Sequence, residues 1–312
     1  MEGSLHLGPY FTLCIHNVQF MIMTALASRD REFLQLVAEA AFANPFSEAR
    51  RTANRKVAAR PGAGTDEQGW LAAVAERVQQ LDRRGQADLR RYDGSDRAVV
   101  EVALLFEAFH RFLGPLDQLI DTQVRAGAEP VRVPFAHDLL GLLRQRGWPA
   151  PAALHYLAVF FQLRRAFYFI AGSLTGASPV MRQLRERLWS NVFTRDIRWY
   201  ERYLWDRLED FSTLLLGETG TGKGAAAAAL GRSGYIPFDE KRGCFAESFT
   251  RNFIALNLSQ FPESLIESEL FGHRKGAFTG AVENHEGVLA RCRPHGAIFL
   301  DEIGDVAIPV QI

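Results

Sequence analysis

A lysine closes a glycine-rich turn formed by Gly217, Glu218, Thr219, Gly220, Thr221, Gly222 and Lys223, directly after the apolar run Leu214 to Leu216. Glycines at such a turn open backbone angles closed to other residues, so that successive N–H groups can face one anion. A lysine at its end brings a full positive charge to the outer phosphates. The expected frame is a buried parallel strand over Thr213 to Leu216 and a helix from Ala225 to Leu230, whose N-terminal dipole favours phosphate. Position 224, where a hydroxyl would reach Mg2+, is Gly224, so the metal needs another holder. Downstream, Ala297 to Leu300 is apolar and ends in Asp301 and Glu302. A buried strand delivering two adjacent acids places one near Mg2+ and the next near an attacking water. Either motif alone fits an ordinary turn or a solvated strand end. Their order and separation point to nucleotide hydrolysis.

Between them lies the hexapeptide Gly276, Ala277, Phe278, Thr279, Gly280 and Ala281, with flanks from Phe253 to Asn257, Pro262 to Gly272 and Gly296 to Asp305. Here the chain resembles the bacterial enhancer-binding proteins, AAA+ ATPases that remodel RNA polymerase carrying sigma-54, and the hexapeptide matches their sigma-54-contacting loop. The resemblance begins near Ala177 to Met181. It implies ATP and Mg2+ as cofactors, held by Gly217 to Gly224 and ordered by Asp301, with Glu302 as catalytic acid and Asn257 holding it inactive until the site is set. Gly224 departs little from the family, which often lacks a hydroxyl after the lysine. The implied partners are sigma-54 RNA polymerase and further copies of the chain, hexameric in full-length relatives. DNA contact would come only through a domain that these 312 residues do not carry.

Three departures are visible. About a dozen extra residues lie around Ser233 to Ser248 and another extension between Met181 and Phe211, lengths normally placed in surface loops. The chain stops at Ile312, before the sensor strand, arginine finger and helical lid of the family. The missing sensor strand normally separates the P-loop strand from the acid-bearing strand, so the expected sheet either leaves a gap or pairs those two directly. The 312-residue chain is therefore expected to be a truncated product and a poor ATPase. The alternative is a non-catalytic nucleotide-binding or interaction protein. An unrelated P-loop ATPase would carry the same two motifs but leaves the hexapeptide unexplained.

The elements that must hold these groups are read from apolar spacing. From Asp30 to about Leu174 the pattern is helical: Phe33, Leu34, Val37 and Ala40; Leu71, Val74, Val78 and Leu81; Val102, Leu105, Phe106, Phe109, Phe112 and Leu113. Asn44 with Pro45, and Arg60 to Gly64, break the first helices. Pro151 to Leu174 is the richest helix, and its aromatic band around Arg164 and Arg165 reads as core or dimer face. Ser178 and Pro179 start a helix to Trp189, and Ile197 to Leu208 follows with one aromatic face against the ATPase core. The fold class is an incomplete α/β P-loop AAA+ core with a parallel sheet, preceded by an all-α domain. The boundaries are 1–28 as an uncertain extension, 29–175 as a helical regulatory domain and 176–312 as a partial sigma-54 interaction domain.

Composition adds exclusions. Basic and acidic residues number 36 each, so no global field recruits nucleic acid. Cys14, Cys244 and Cys292 are widely spaced, which argues against disulfides or a zinc site and fits a cytoplasmic location. His110, His137 and His155 have no metal-ligand spacing. Gly3 to Ser28 lacks charged residues, but His16, Asn17 and Gln19 interrupt it, so no membrane segment is expected; initiation at Met21 or Met23 explains it more simply.

Overall fold

The structure, a computed structural model, describes residues 24–59, 67–207, 211–278, 280–306 and 308. The calls on Cys14, on Met21 and Met23, on the Arg60 to Gly64 break, on Leu208 and on Thr279 lie outside the described residues.

Every regular element among the described residues from Ser28 to Leu204 is helical. Helices α1 (Ser28–Phe42), α2 (Glu48–Ala58), α3 (Glu67–Arg83) and α4 (Gly94–Arg111) pack on one another, followed by α5 (Leu113–Ala126), α6 (Ala136–Gln145) and α7 (Ala150–Ser173). The apolar spacing of α1 and α3 is realised as burial: Phe33, Leu34, Val37 and Ala40, and then Val74, Val78 and Leu81, are all interior. Helix α2 begins at Ser47, whose side chain accepts from the Arg50 N–H and so satisfies one of the orphan amides of the first turn. The run expected as one helix through Leu113 breaks at Phe112, where α4 ends and α5 begins. Helix α7 is the axis of this half, with eleven buried residues including Phe160, Phe161, Gln162, Arg165 and Phe169. Its aromatic band is core.

After α7 the chain forms α8 (Pro179–Phe193), capped by the Ser178 side chain at Met181 N, then α9 (Ile197–Trp199) and a wider turn over Tyr200–Leu204. Helix is thus formed where it was expected, and the extra length after Met181 is not spent on a surface loop: Leu188, Trp189, Val192, Phe193 and Tyr200 are buried. The aromatic face expected against the core is divided, because Tyr200 is interior while Trp199 and Tyr203 are exposed.

The α/β part consists of α10 (Lys223–Gly231), the hairpin β1 (Phe238–Asp239) and β2 (Cys244–Phe245), strand β3 (Phe253–Asn257), α11 (Glu263–Phe271), α12 (Val288–Arg291) and β4 (Ala297–Asp301). Strands β3 and β4 are parallel, in register from Phe253 opposite Ala297 to Asn257 opposite Asp301. Helix α10 covers one face of this pair, with Gly224 over the Phe299 ring and Gly231 against Phe253. Alternation along each strand sends Ile254, Leu256, Ile298 and Leu300 to the other face, where they meet Leu258, Ile266, Val288 and Val306. The main core is continuous from the helical half through α7 into Ala226 and Ala229 of α10 and on to Ile236, Phe238, Phe245 and Phe249.

Two expectations fail here. The segment Thr213 to Leu216 is not a buried strand: Leu214 and Leu216 are 72% and 86% exposed, and the segment forms no regular element. Strand β4 has β3 as its hydrogen-bonded neighbour, and no described strand lies beside 213–216, so its backbone has no ladder to join. Neither anticipated outcome, a gap or direct pairing, is realised among the described residues, because the first of the two strands does not form. The residues around Ser233 to Ser248 are not a surface loop either. Ser233, Ile236, Cys244, Phe245, Ser248 and Phe249 are all buried, because the hairpin inserts against α7 and the turn before α6. Among the described residues no helix is long and apolar enough to cross a membrane.

Candidate functional site

Two features place the proposed phosphate loop at the mouth of α10. Gly220 and Gly222 adopt φ of 83° and 94°, a region that disfavours any side chain, and Gly222 is the residue that opens the helix. The Thr221 hydroxyl donates to Glu218 O at 2.7 Å, closing the turn on itself. The Lys223 ammonium sits inside it, donating to Gly217 O at 2.8 Å and to Glu218 O at 3.0 Å. An ammonium parked on two loop carbonyls lies next to the space that the turn encloses. The free amides of the first turn of α10 face the same way. These features fit a polyphosphate.

The acids arrive by register. Because Asn257 is paired with Asp301, both stand at the C-terminal ends of adjacent parallel strands, where open α/β sheets bind ligands. Asp301 Oδ1 accepts the Glu302 N–H at 3.1 Å, leaving its other oxygen uncommitted by any described bond. Glu302 adopts a left-handed φ of 57°, one of two non-glycine residues to do so among those described, which turns its side chain back toward β3. There it meets Ser259. The Ser259 hydroxyl is hydrogen-bonded to the Glu302 carboxylate and lies 2.8 Å from Asn257 Oδ1, which also accepts Ser259 N–H at 3.0 Å.

In the described bonds Asn257 reaches Glu302 through Ser259. The reason is local. Asn257 caps the short turn Leu258–Gln260 by taking the Ser259 amide, and that bond holds its oxygen away from β4. A serine two residues past an Asn at a strand end was the signal that sequence reasoning passed over.

Gly224 carries no hydroxyl and Thr221 is used in closing the turn, while Asp301 stands at the end of β4. No group of three metal-binding side chains occurs among the described residues.

Gly276 and Ala281, at the ends of the hexapeptide, are drawn together above a bridge between His273 and His285. Helix α11 ends at Phe271, and Gly272 follows at φ 81° in close contact with the backbone of His285 to Gly287, where a side chain has no room. His273 and His285 then exchange N–H to O bonds, both 2.9 Å, and the Ser268 hydroxyl meets His273 Nδ1 at 2.6 Å. Lys275 N donates to Asn284 Oδ1, and Gly276 N to Ala281 O at 2.9 Å. Phe278 is 41% exposed with its ring edge-on to His273, centroids 4.8 Å apart. Ala277 and Gly280 flank it, and Gly276 and Gly280 have φ of 82° and 104°.

Residues 201–312 match the family described as Sigma-54 interaction domain. The chain is 46% identical over 103 residues to the transcriptional regulatory protein GlrR of Escherichia coli (strain K12), a match covering 33% of this chain and 20% of GlrR. It is 36% identical over 137 residues to the DNA-binding transcriptional activator HyfR of the same organism, covering 41% and 18%. It is 44% identical over 103 residues to the Sigma54-dependent transcriptional activator SfnR of Pseudomonas putida, covering 32% and 24%. The chain thus spans about a fifth of the length of the curated relatives it matches. The matched residues take in the Gly217–Lys223 turn, the acid-bearing strand β4 and the hexapeptide together.

Proposed function

We propose that this chain is a sigma-54-dependent transcriptional regulator that binds ATP with Mg2+ and couples hydrolysis to remodelling of sigma-54 RNA polymerase. Residues 29–175 would act as its helical regulatory domain and 176–312 as its ATPase part. The observation that carries the reading is the register of Asn257 against Asp301, with Glu302 next in line, across from the Gly217–Lys223 turn that α10 holds over the same strand pair.

Gly217 to Gly224 bind the phosphates, with Lys223 moving from the loop carbonyls to the phosphate oxygens as they enter. Asp301 orders the metal, and Mg2+ bound there supplies charge neutralisation on the phosphates. Glu302 polarises the attacking water once freed from Ser259. Gly276 to Ala281, Phe278 foremost, engage sigma-54 in an assembly of several copies of the chain.

Two measurements test this. Calorimetry should show ADP binding in the presence of Mg2+ that is lost in Lys223→Ala. Immobilised sigma-54 should retain the chain in the presence of ATP and Mg2+, and should release it when Phe278 is replaced by Ala. Retention unchanged by Phe278→Ala would overturn the loop assignment, and ADP binding unchanged by Lys223→Ala would overturn the nucleotide site.

A further inference from the structure

The carbonyls that follow α10 are held from the helical half by two side chains. Arg165 of α7 donates from Nη1 to Arg232 O at 2.9 Å and from Nη2 to Gly234 O at 2.7 Å, and Gln162 Nε2 donates to Ser233 O at 2.9 Å. Gln162 and Arg165 lie one turn apart on one face of α7, with 0% and 1% of their surface exposed. Three consecutive carbonyls at the end of the P-loop helix are thus bound by a neighbouring helix. The last turn of α10 is completed from within, as the Ser233 hydroxyl donates to Ala229 O at 2.5 Å.

The inserted hairpin fastens the same junction. Phe245 stacks on Phe161 with centroids 4.1 Å apart, and Phe249 lies edge-on to Phe169 at 5.5 Å. The Val133 amide donates to Gly243 O, and the hydroxyls of Ser248 and Thr250 both reach Gly127 O. The Arg165 guanidinium stands over the rings of Phe161 and Phe249, at 4.6 and 5.4 Å.

Arg165 is charged, wholly enclosed and makes no ion pair among the described residues. Burial pushes its pKa down to about 9. A side chain that merely filled this space would be better served by an apolar residue of similar volume. The arginine instead places its charge at the negative end of α10, whose positive end forms the phosphate site. Arg165 Nε and Gln162 Oε1 remain buried without a hydrogen-bond partner, so the junction keeps unused bonding capacity.

We propose that Arg165 and Gln162 are positioning residues for the nucleotide site. They clasp the C-terminal end of α10, so that any event displacing α7 within the helical half shifts the P-loop at the other end. A nine-residue helix is about 13 Å of stiff rod, and a displacement at its capped end reaches its mouth with little loss. The proposal rests on the reading of Gly217–Lys223 as a nucleotide site and names the regulation of that site.

The test uses the whole chain with ADP and Mg2+. Arg165→Lys keeps the charge but loses the two-pronged reach, and ADP affinity should fall about fivefold or more. Arg146→Lys is the control, because Arg146 is also buried but binds Glu107 and Leu104 O, away from α10. It should lower thermal stability with ADP affinity unchanged. Equal affinity in Arg165→Lys and the unsubstituted chain overturns the proposal, as does equal weakening in both variants. Linkage supplies a measurement that needs no variant: ADP should slow amide exchange in α7 and in the Phe238 to Phe245 hairpin. A response confined to the P-loop and β4 overturns it. Should the unsubstituted chain bind no ADP, the nucleotide-site reading fails, and the clasp is decided by exchange at Lys223–Gly231. Faster exchange in Arg165→Lys than in Arg146→Lys upholds it; equal rates refute it.

Discussion

The hydroxyl of Ser259 is hydrogen-bonded to the carboxylate of Glu302, across the ends of two parallel strands. One hydroxyl proton cannot serve both the Glu302 carboxylate and Asn257 Oδ1, so donation to one releases the other. Ser259→Ala should free Glu302 and raise ATP turnover about twofold, the worth of a weak, solvent-exposed hydrogen bond. Stability should stay within about 0.5 kcal/mol, since Ser259 is exposed. Steady-state turnover alongside thermal melting checks this, and unchanged or slower turnover would remove Ser259 from the switch.

Gly222→Ala forces a side chain into φ 94° at the mouth of α10. A cost of about 1 kcal/mol in stability is expected together with loss of ADP binding. Calorimetry separates the two effects, and ADP affinity retained in a folded Gly222→Ala variant would mean that the turn does not cradle phosphate.

Phe245 is 4% exposed and stacked on Phe161, so Phe245→Ala should cost about 3–5 kcal/mol. Because this contact joins α7 to the hairpin, the loss should fall on both halves of the chain. Denaturant melts followed at tryptophans of the helical half and by exchange at α10 should both move to lower midpoint. A shift at only one of the two would show that the continuous core does not make them one cooperative unit.

His110 is partly buried beside Trp70, Phe106 and Phe109, and desolvation pushes its pKa from 6.5 to about 4, with Arg50 and Arg164 adding to the effect. The folded state holds the ring neutral while the unfolded chain takes up a proton below 6.5. Stability is therefore full above that value and declines as pH falls toward 4, by about 3 kcal/mol from this group. His110→Phe should flatten that part of the profile in denaturant melts from pH 7 to 4. An unchanged slope would assign it to other groups.

Chemistry-bearing residues were legible because they are local. The glycine spacing of the P-loop, the two acids at the end of an apolar run and the hexapeptide are each set within a few residues, and apolar spacing marked the helices around Phe33, Val74 and Phe160 but not the break at Phe112. The sigma-54 resemblance needed no fold to be seen. What sequence could not show depends on partners far along the chain. Thr213 to Leu216 has strand composition, yet a strand exists only where another offers a ladder, and β4 pairs with β3. The residues from Ser233 to Ser248 have loop length, yet Phe245 and Phe249 find α7, some eighty residues earlier, and become core. Arg165 reads as one charge in an aromatic helix until the fold brings the end of α10 against it. Local conformational preference determined the motifs and helices; burial against distant surfaces decided which of them meet.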